Sequence, residues 1–159
     1  MDRQEKLDIF YEVAKRLIES GATWAVGGSL MQYFYRITDE FADVDLMIAR
    51  QSVRAARSVL NAMGTSLPAQ SGPRYRSGDF FRYSVKGLSF DCIVDFTICV
   101  GERRWMFPLR LDEISFVAWR GLRLPLNEAR VWEKCYALMG RPQKAKRIAV
   151  SLLARREEK

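Results

Sequence analysis

The sequence predicts an α+β fold: a mixed, mostly antiparallel sheet with helices packed mainly on one side, followed by C-terminal helices. Three observations predict it. Near the start, helically spaced apolar residues alternate with short apolar strands. In the middle, two strand-like runs fold back at Gly-containing turns, Lys86-Gly87 and Arg120-Gly121. After Asn127 the pattern turns helical and stays so. Alternation followed by hairpins describes a mixed sheet rather than a wholly parallel one.

The elements follow in order. Leu7, Phe10, Val13, Ala14, Leu17 and Ile18 make one apolar stripe on a helix over 3–20, and Gly21 ends it. Thr23 to Val26 is a short apolar strand, and Ser29 to Arg36 is helical, with Thr38 to Ala42 a polar loop. Val44, Leu46 and Ile48 alternate with Asp43, Asp45 and Met47, so a strand carries both carboxylates on one face. Val53, Ala56, Val59, Leu60 and Met63 form the next helical stripe, closed by Gly64. Leu67 to Gly78 holds two prolines and two glycines and reads as loop or strand edge. Phe80 to Lys86 and Leu88 to Ile98 make one hairpin; Ile114 to Trp119 and Leu122 to Leu124 make a second. Asn127 suits the N-cap of a helix through Val131, Trp132, Cys135, Tyr136, Leu138 and Met139. Gly140 and Pro142 break that helix, and a basic helix runs on to about Arg155.

Composition narrows the function. The chain of 159 residues is 48% apolar and 12% aromatic, which is enough for a packed core. With no internal repeat or composition shift, we expect a single domain over 1–159, with 127–159 as its C-terminal helical extension. No apolar run reaches the roughly 18 residues of a membrane span. The first residues lead into an amphipathic pattern rather than a signal-peptide core, so a cytoplasmic location is expected. Histidine is absent, which excludes Ser-His-Asp and Cys-His catalysis and any imidazole metal site. Cys92, Cys99 and Cys135 are odd in number and include no Cys-x-x-Cys pair, which argues against a disulfide framework or a thiolate zinc site. Metal binding therefore falls to carboxylates, which favour hard ions such as Mg²⁺ or Mn²⁺. Lys and Arg number 26 against 19 Asp and Glu, a net charge of +7. Such a surface attracts polyanions such as nucleotides and RNA, and equally suits an ordinary soluble protein of high pI.

Three pieces carry chemistry. Trp24-Ala25-Val26-Gly27-Gly28-Ser29 runs a strand into a helix through two glycines, where backbone amides can approach a phosphate. The Ser29 hydroxyl can bond a phosphate oxygen. Taken alone, the motif also fits a tight structural turn. Fourteen residues after Ser29 comes Asp43-Val44-Asp45, whose paired carboxylates repel unless a cation lies between them; the bland reading is a solvated strand face. The later strand Ser89 to Asp95 offers Asp91 and Asp95 on one face, either of which supplies a third acid. Tyr33, Phe34 and Tyr35 read as a packing surface, Trp24, Trp119 and Trp132 as core, and Glu102-Arg103-Arg104 as a solvated loop. Arg141, Lys144, Lys146, Arg147, Arg155 and Arg156 suit RNA or a solvated helix face.

In this order the pieces resemble the nucleotidyltransferase superfamily related to DNA polymerase β. The resemblance rests on Gly28-Ser29, Asp43-Val44-Asp45 and Phe90-Asp91-Cys92-Ile93. The C-terminal part is similar to small stand-alone members, which include abortive-infection and toxin-type enzymes, through Glu133-Lys134, Gly140-Arg141 and Lys144-Ala145-Lys146. Where such members commonly carry aspartates after the second basic residue, this chain has Ala145 and Arg147. The resemblance implies transfer of a nucleoside monophosphate from a nucleoside triphosphate (NTP), with Mg²⁺ or Mn²⁺, to a hydroxyl of RNA, protein or a small molecule. It places Asp43, Asp45 and Asp91 as metal ligands, with Asp91 also helping to deprotonate the acceptor. Gly27, Gly28 and Ser29 would seat the triphosphate, and Arg36, Lys134 and Arg141 are candidate phosphate contacts. A second reading is a catalytically silent copy of the fold that binds nucleic acid or a partner protein.

Overall fold

The computed structural model describes residues 1–68 and 79–157. Nine strands and five helices are described, and seven of the strands form one sheet. Helix α1 (Arg3–Glu19) starts at Asp2, whose carboxylate accepts from the Glu5 amide at 2.8 Å. Its stripe Leu7, Phe10, Val13, Ala14 and Leu17 is buried, as its spacing requires. Strand β1 (Trp24–Gly27) leads directly into the short helix α2 (Gly28–Phe34). Strand β2 (Val44–Ile48) and helix α3 (Val53–Met63) follow.

The sheet order is β3-β4-β5-β2-β1-β9-β8, with β3 at Thr65–Leu67, β4 at Asp79–Val85, β5 at Leu88–Val94, β8 at Ile114–Trp119 and β9 at Leu122–Asn127. Neighbours pair antiparallel except β2 with β5 and β1 with β9, which are parallel. Both hairpins turn where expected: Lys86 and Gly87 have φ of 52° and 89°, Arg120 and Gly121 of 49° and 80°. Positive φ at both central residues is the two-residue turn that matches strand twist. The core lies between α1, α3 and the sheet, with Phe10, Leu17, Leu30, Leu46, Ile48, Leu60 and Phe90 fully enclosed. Trp24 and Trp132 are buried, and Phe34 stacks edge-on against half-buried Trp119 at 5.2 Å. Among the described residues no helix is long and apolar enough to cross a membrane.

The structure corrects four expectations. The strand from Leu88 does not run to Ile98. It stops at Val94 because Asp95 takes a left-handed turn (φ 50°) and binds Arg50. The chain then leaves the sheet, and β6 (Phe96–Val100) pairs with β7 (Arg103–Phe107) as a separate ribbon. Arg103 and Arg104, expected in a loop, are therefore exposed strand residues. Asn127 caps nothing. It ends β9, buried, accepting from Trp132 Nε1 at 2.9 Å and donating to the Glu113 carbonyl at 3.1 Å, while Glu128 holds the cap position of α4 (Ala129–Leu138). Asp43 precedes β2 rather than lying in it. The last helix, α5 (Pro142–Glu157), extends as expected, and Gly140 (φ 75°) closes α4 before it. Of the segment read as loop or edge, Thr65–Leu67 is strand β3 and 69–78 lies outside the described residues.

Candidate active site

The site is built on a single row across the sheet. Arg82 on β4 is the register partner of Asp91 on β5, Asp91 of Asp45 on β2, and Asp45 of Gly27 on β1. Register partners present side chains to the same face. One row thus carries a guanidinium, two carboxylates and a glycine. The flanking β2 residues Val44 and Leu46 are fully buried, so the opposite face is core. Asp43, exposed just ahead of β2, adds its charge beside Asp45.

The two glycines make room for protein groups. A Cβ on Gly28 would lie 2.0 Å from Asp45 Oδ2, and Gly28 has φ 59°, a conformation that favours glycine. A Cβ on Gly27 would lie 2.5 Å from the Trp132 ring. The Asp45 carboxylate is therefore seated against the entry to α2. Ser29 stands half-buried in that helix's first turn.

Helix α4 closes the other side. Trp132 packs on Gly27 and lies 5.8 Å from Phe96, and one turn on, Tyr136 lies 5.5 Å from Trp132. Gln32 Nε2 donates to the Tyr136 hydroxyl at 3.1 Å. Lys144 Nζ sits 5.3 Å above the Tyr136 ring.

Electrostatics confirm which charges meet. Burial first, then Asp91 and Asp43, push the Asp45 carboxyl up to about 7, against the opposing pull of Lys144 and Arg141. Lys144 is lowered, first by burial and then by Arg141, while Asp45 pulls the other way. The Tyr136 hydroxyl is raised by burial and next by Asp45. Asp91 binds Arg82 Nε at 2.7 Å, a half-buried pair with 21% and 19% of the side chains exposed. Among the described residues no three carboxylates or thiols converge as a ready metal cage.

Among the predicted residues, Gly27, Gly28, Ser29, Asp43, Asp45 and Asp91 come together, and Arg141 borders them. Asp95 does not, because its carboxylate is 2.5 Å from Arg50 at the strand end. Arg36 lies past the C-terminal end of α2, whereas Gly28 opens that helix at the site. Lys134 is two residues from both Trp132 and Tyr136, on the far side of α4, over the Trp105 ring at 5.3 Å. Sequence reasoning missed Lys144 and Arg82 as parts of this site. Lys144 is one helical turn from Arg141. Arg82 is fixed by the two-residue turn at Lys86-Gly87, which pairs Val85 with Leu88 and hence Arg82 with Asp91.

By sequence, no protein-family model and no curated protein matches the chain. Solved structures do. A presumptive nucleotidyltransferase from Thermotoga maritima aligns over 97% of this chain and 96% of its own, at 20% identity and a TM-score of 0.75. ANT(2'')-Ia, bound to adenylyl-2''-tobramycin, aligns over 97% and 93% at 14% identity and a TM-score of 0.65. A solution structure of the same antibiotic-resistance factor gives a TM-score of 0.60 at 14% identity, over 99% and 94%. At these identities the likeness establishes the fold, and the chain has the nucleotidyltransferase fold.

Proposed function

We propose that this protein transfers a nucleoside monophosphate from a nucleoside triphosphate to an acceptor hydroxyl, using Mg²⁺ or Mn²⁺. One observation carries the reading: Asp45, in register with Asp91 and seated on Gly28, lies within the field of Arg141 and Lys144. Carboxylates on one side and cations on the other suit a metal-bound triphosphate.

The donor set fits a divalent ion. Asp45 is in register with Asp91, and burial together with the charges of Asp91 and Asp43 already opposes its ionisation. Asp43, Asp45 and Asp91 would hold the ion. When bound, such an ion would neutralise charge that develops in phosphoryl transfer. Arg141 and Lys144 bind and orient the triphosphate tail beside Ser29. Asp91 takes the acceptor hydroxyl's proton as its oxygen bonds to the α-phosphorus. The bond to the β-phosphate oxygen breaks, and pyrophosphate leaves. Trp132 and Tyr136 wall the space and exclude water.

A catalytically silent version, binding nucleic acid or a partner protein, is favoured by a different observation: Asp91 already holds Arg82. Incubation with each α-labelled NTP and Mg²⁺, with RNA, protein and aminoglycoside acceptors, separates the two. Labelled product formed by the wild type and lost in Asp45→Asn supports transfer. No product and no pyrophosphate with any combination supports the silent reading.

A further inference from the structure

We infer that Arg82 is a positioning residue for Asp91, one that aims the third carboxylate at the cost of cation affinity. This rests on the metal-dependent reading above. Arg82 donates from Nε to Asp91 Oδ1 at 2.7 Å, so among the described residues its hold is on one carboxylate oxygen. The pair is held on both sides by the sheet. The residues are register partners in the β4–β5 hairpin, and Asp91 is in turn the partner of Asp45. A guanidinium donating through one fixed N–H restrains the carboxylate's rotation.

Arg82 also lies within the field of Asp43. It therefore stands beside two of the three acids that would hold a cation. Its positive charge repels an incoming divalent ion, and the partly buried setting weakens solvent screening of that repulsion. Position and charge thus act in opposite directions. Removing the charge tightens ion binding, and removing the bond loosens the aim of Asp91. A residue with a merely structural role would move neither quantity, or would weaken both by unsettling the sheet.

The test is Mn²⁺ titration followed by electron paramagnetic resonance, which counts free ion directly and needs no turnover. It is run on wild type, Arg82→Gln, Arg82→Lys and Arg82→Gln/Asp91→Asn, with circular dichroism to confirm folding. Arg82→Gln is expected to bind Mn²⁺ about tenfold more tightly than wild type. The gain disappears in the double variant, and Arg82→Lys, which keeps the charge, stays near wild type. Pyrophosphate release by Arg82→Gln falls although its ion binds better. Affinity unchanged or weakened in a folded Arg82→Gln, or turnover that rises with affinity, overturns the role of Arg82 alone. Mn²⁺ binding by none of the four proteins overturns this inference together with the metal-dependent reading.

Discussion

Asp45 and Asp91 stand side by side as register partners on the parallel strands β2 and β5, and the Asp45 carboxylate rests on the Cα of Gly28. Two acids held this close, both half-buried, form an arrangement that costs stability unless something positive joins it. In this chain Arg82 pairs with Asp91, and Arg141 and Lys144 act on Asp45. We propose that a metal-bound triphosphate completes this charge balance.

The metal-free protein should lose stability as pH rises. Asp45 is raised above its unfolded value of 3.8 to about 7, so between those values the folded state binds more protons than the unfolded one. Stability then falls with increasing pH across that interval and levels off above it. Unfolding midpoints in EDTA from pH 4 to 8 check this. A rise over that range attributable to Asp45, seen as a steeper rise than in Asp45→Asn, contradicts it.

Asp45→Asn should fold, and in EDTA at pH 8 it should melt above the wild type, because the substitution removes a charge that burial and two neighbours oppose. Nucleotidyl transfer should be abolished. A variant that retains full transfer would remove Asp45 from the metal site.

Gly28→Ala should be costly twice. The left-handed conformation disfavours a Cβ by about 1–2 kcal/mol, and the new methyl meets Asp45 Oδ2, which must move. We expect weaker Mn²⁺ binding together with a lowered unfolding midpoint. Unchanged metal binding in a folded Gly28→Ala would show that the seat of the carboxylate does not matter.

The two acids of β5 should separate by phenotype. Asp91→Asn should lower the transfer rate severely. Asp95→Asn should leave the rate nearly intact and lose only its pair with the exposed Arg50, worth about 0–1 kcal/mol. Steady-state rates and melting curves of both variants make the comparison, and the reverse ranking contradicts the assignment.

Lys144→Ala should weaken NTP binding by roughly tenfold or more, the scale of a lost charge-assisted hydrogen bond. Lys134→Ala, on the far side of α4, should change it little. Isothermal titration with Mg²⁺ and a nonhydrolysable NTP analogue gives both numbers; a larger loss for Lys134 contradicts the geometry.

How far the site was legible depends on the range of the interactions involved. The glycine turn at Gly28 and the strand that carries Asp45 were readable because turn chemistry and period-2 alternation are local, whereas Asp43, read into the same strand, lies just ahead of it. The end of β5 was not, because apolar alternation continues through Phe96 and Ile98, and the break at Asp95 is anchored by Arg50, distant in sequence. Asn127 carries an N-cap signal that tertiary partners override: Trp132 and Glu113 occupy its side chain. Lys134 drew attention over Lys144 because nothing local says which side of α4 meets the sheet. That is decided by Trp132 fitting over Gly27. Arg82 was within reach, since the expected hairpin turn already places it opposite Asp91.

The most direct measurement is thermal unfolding of wild type and Asp45→Asn with each NTP plus Mg²⁺. Ligand at 100 times its dissociation constant adds about 2.7 kcal/mol, roughly 5–10 °C for a domain of this size. Such a rise is expected for at least one triphosphate in the wild type and none in Asp45→Asn. No rise with any triphosphate, or an equal rise in both proteins, contradicts a carboxylate-dependent nucleotide site.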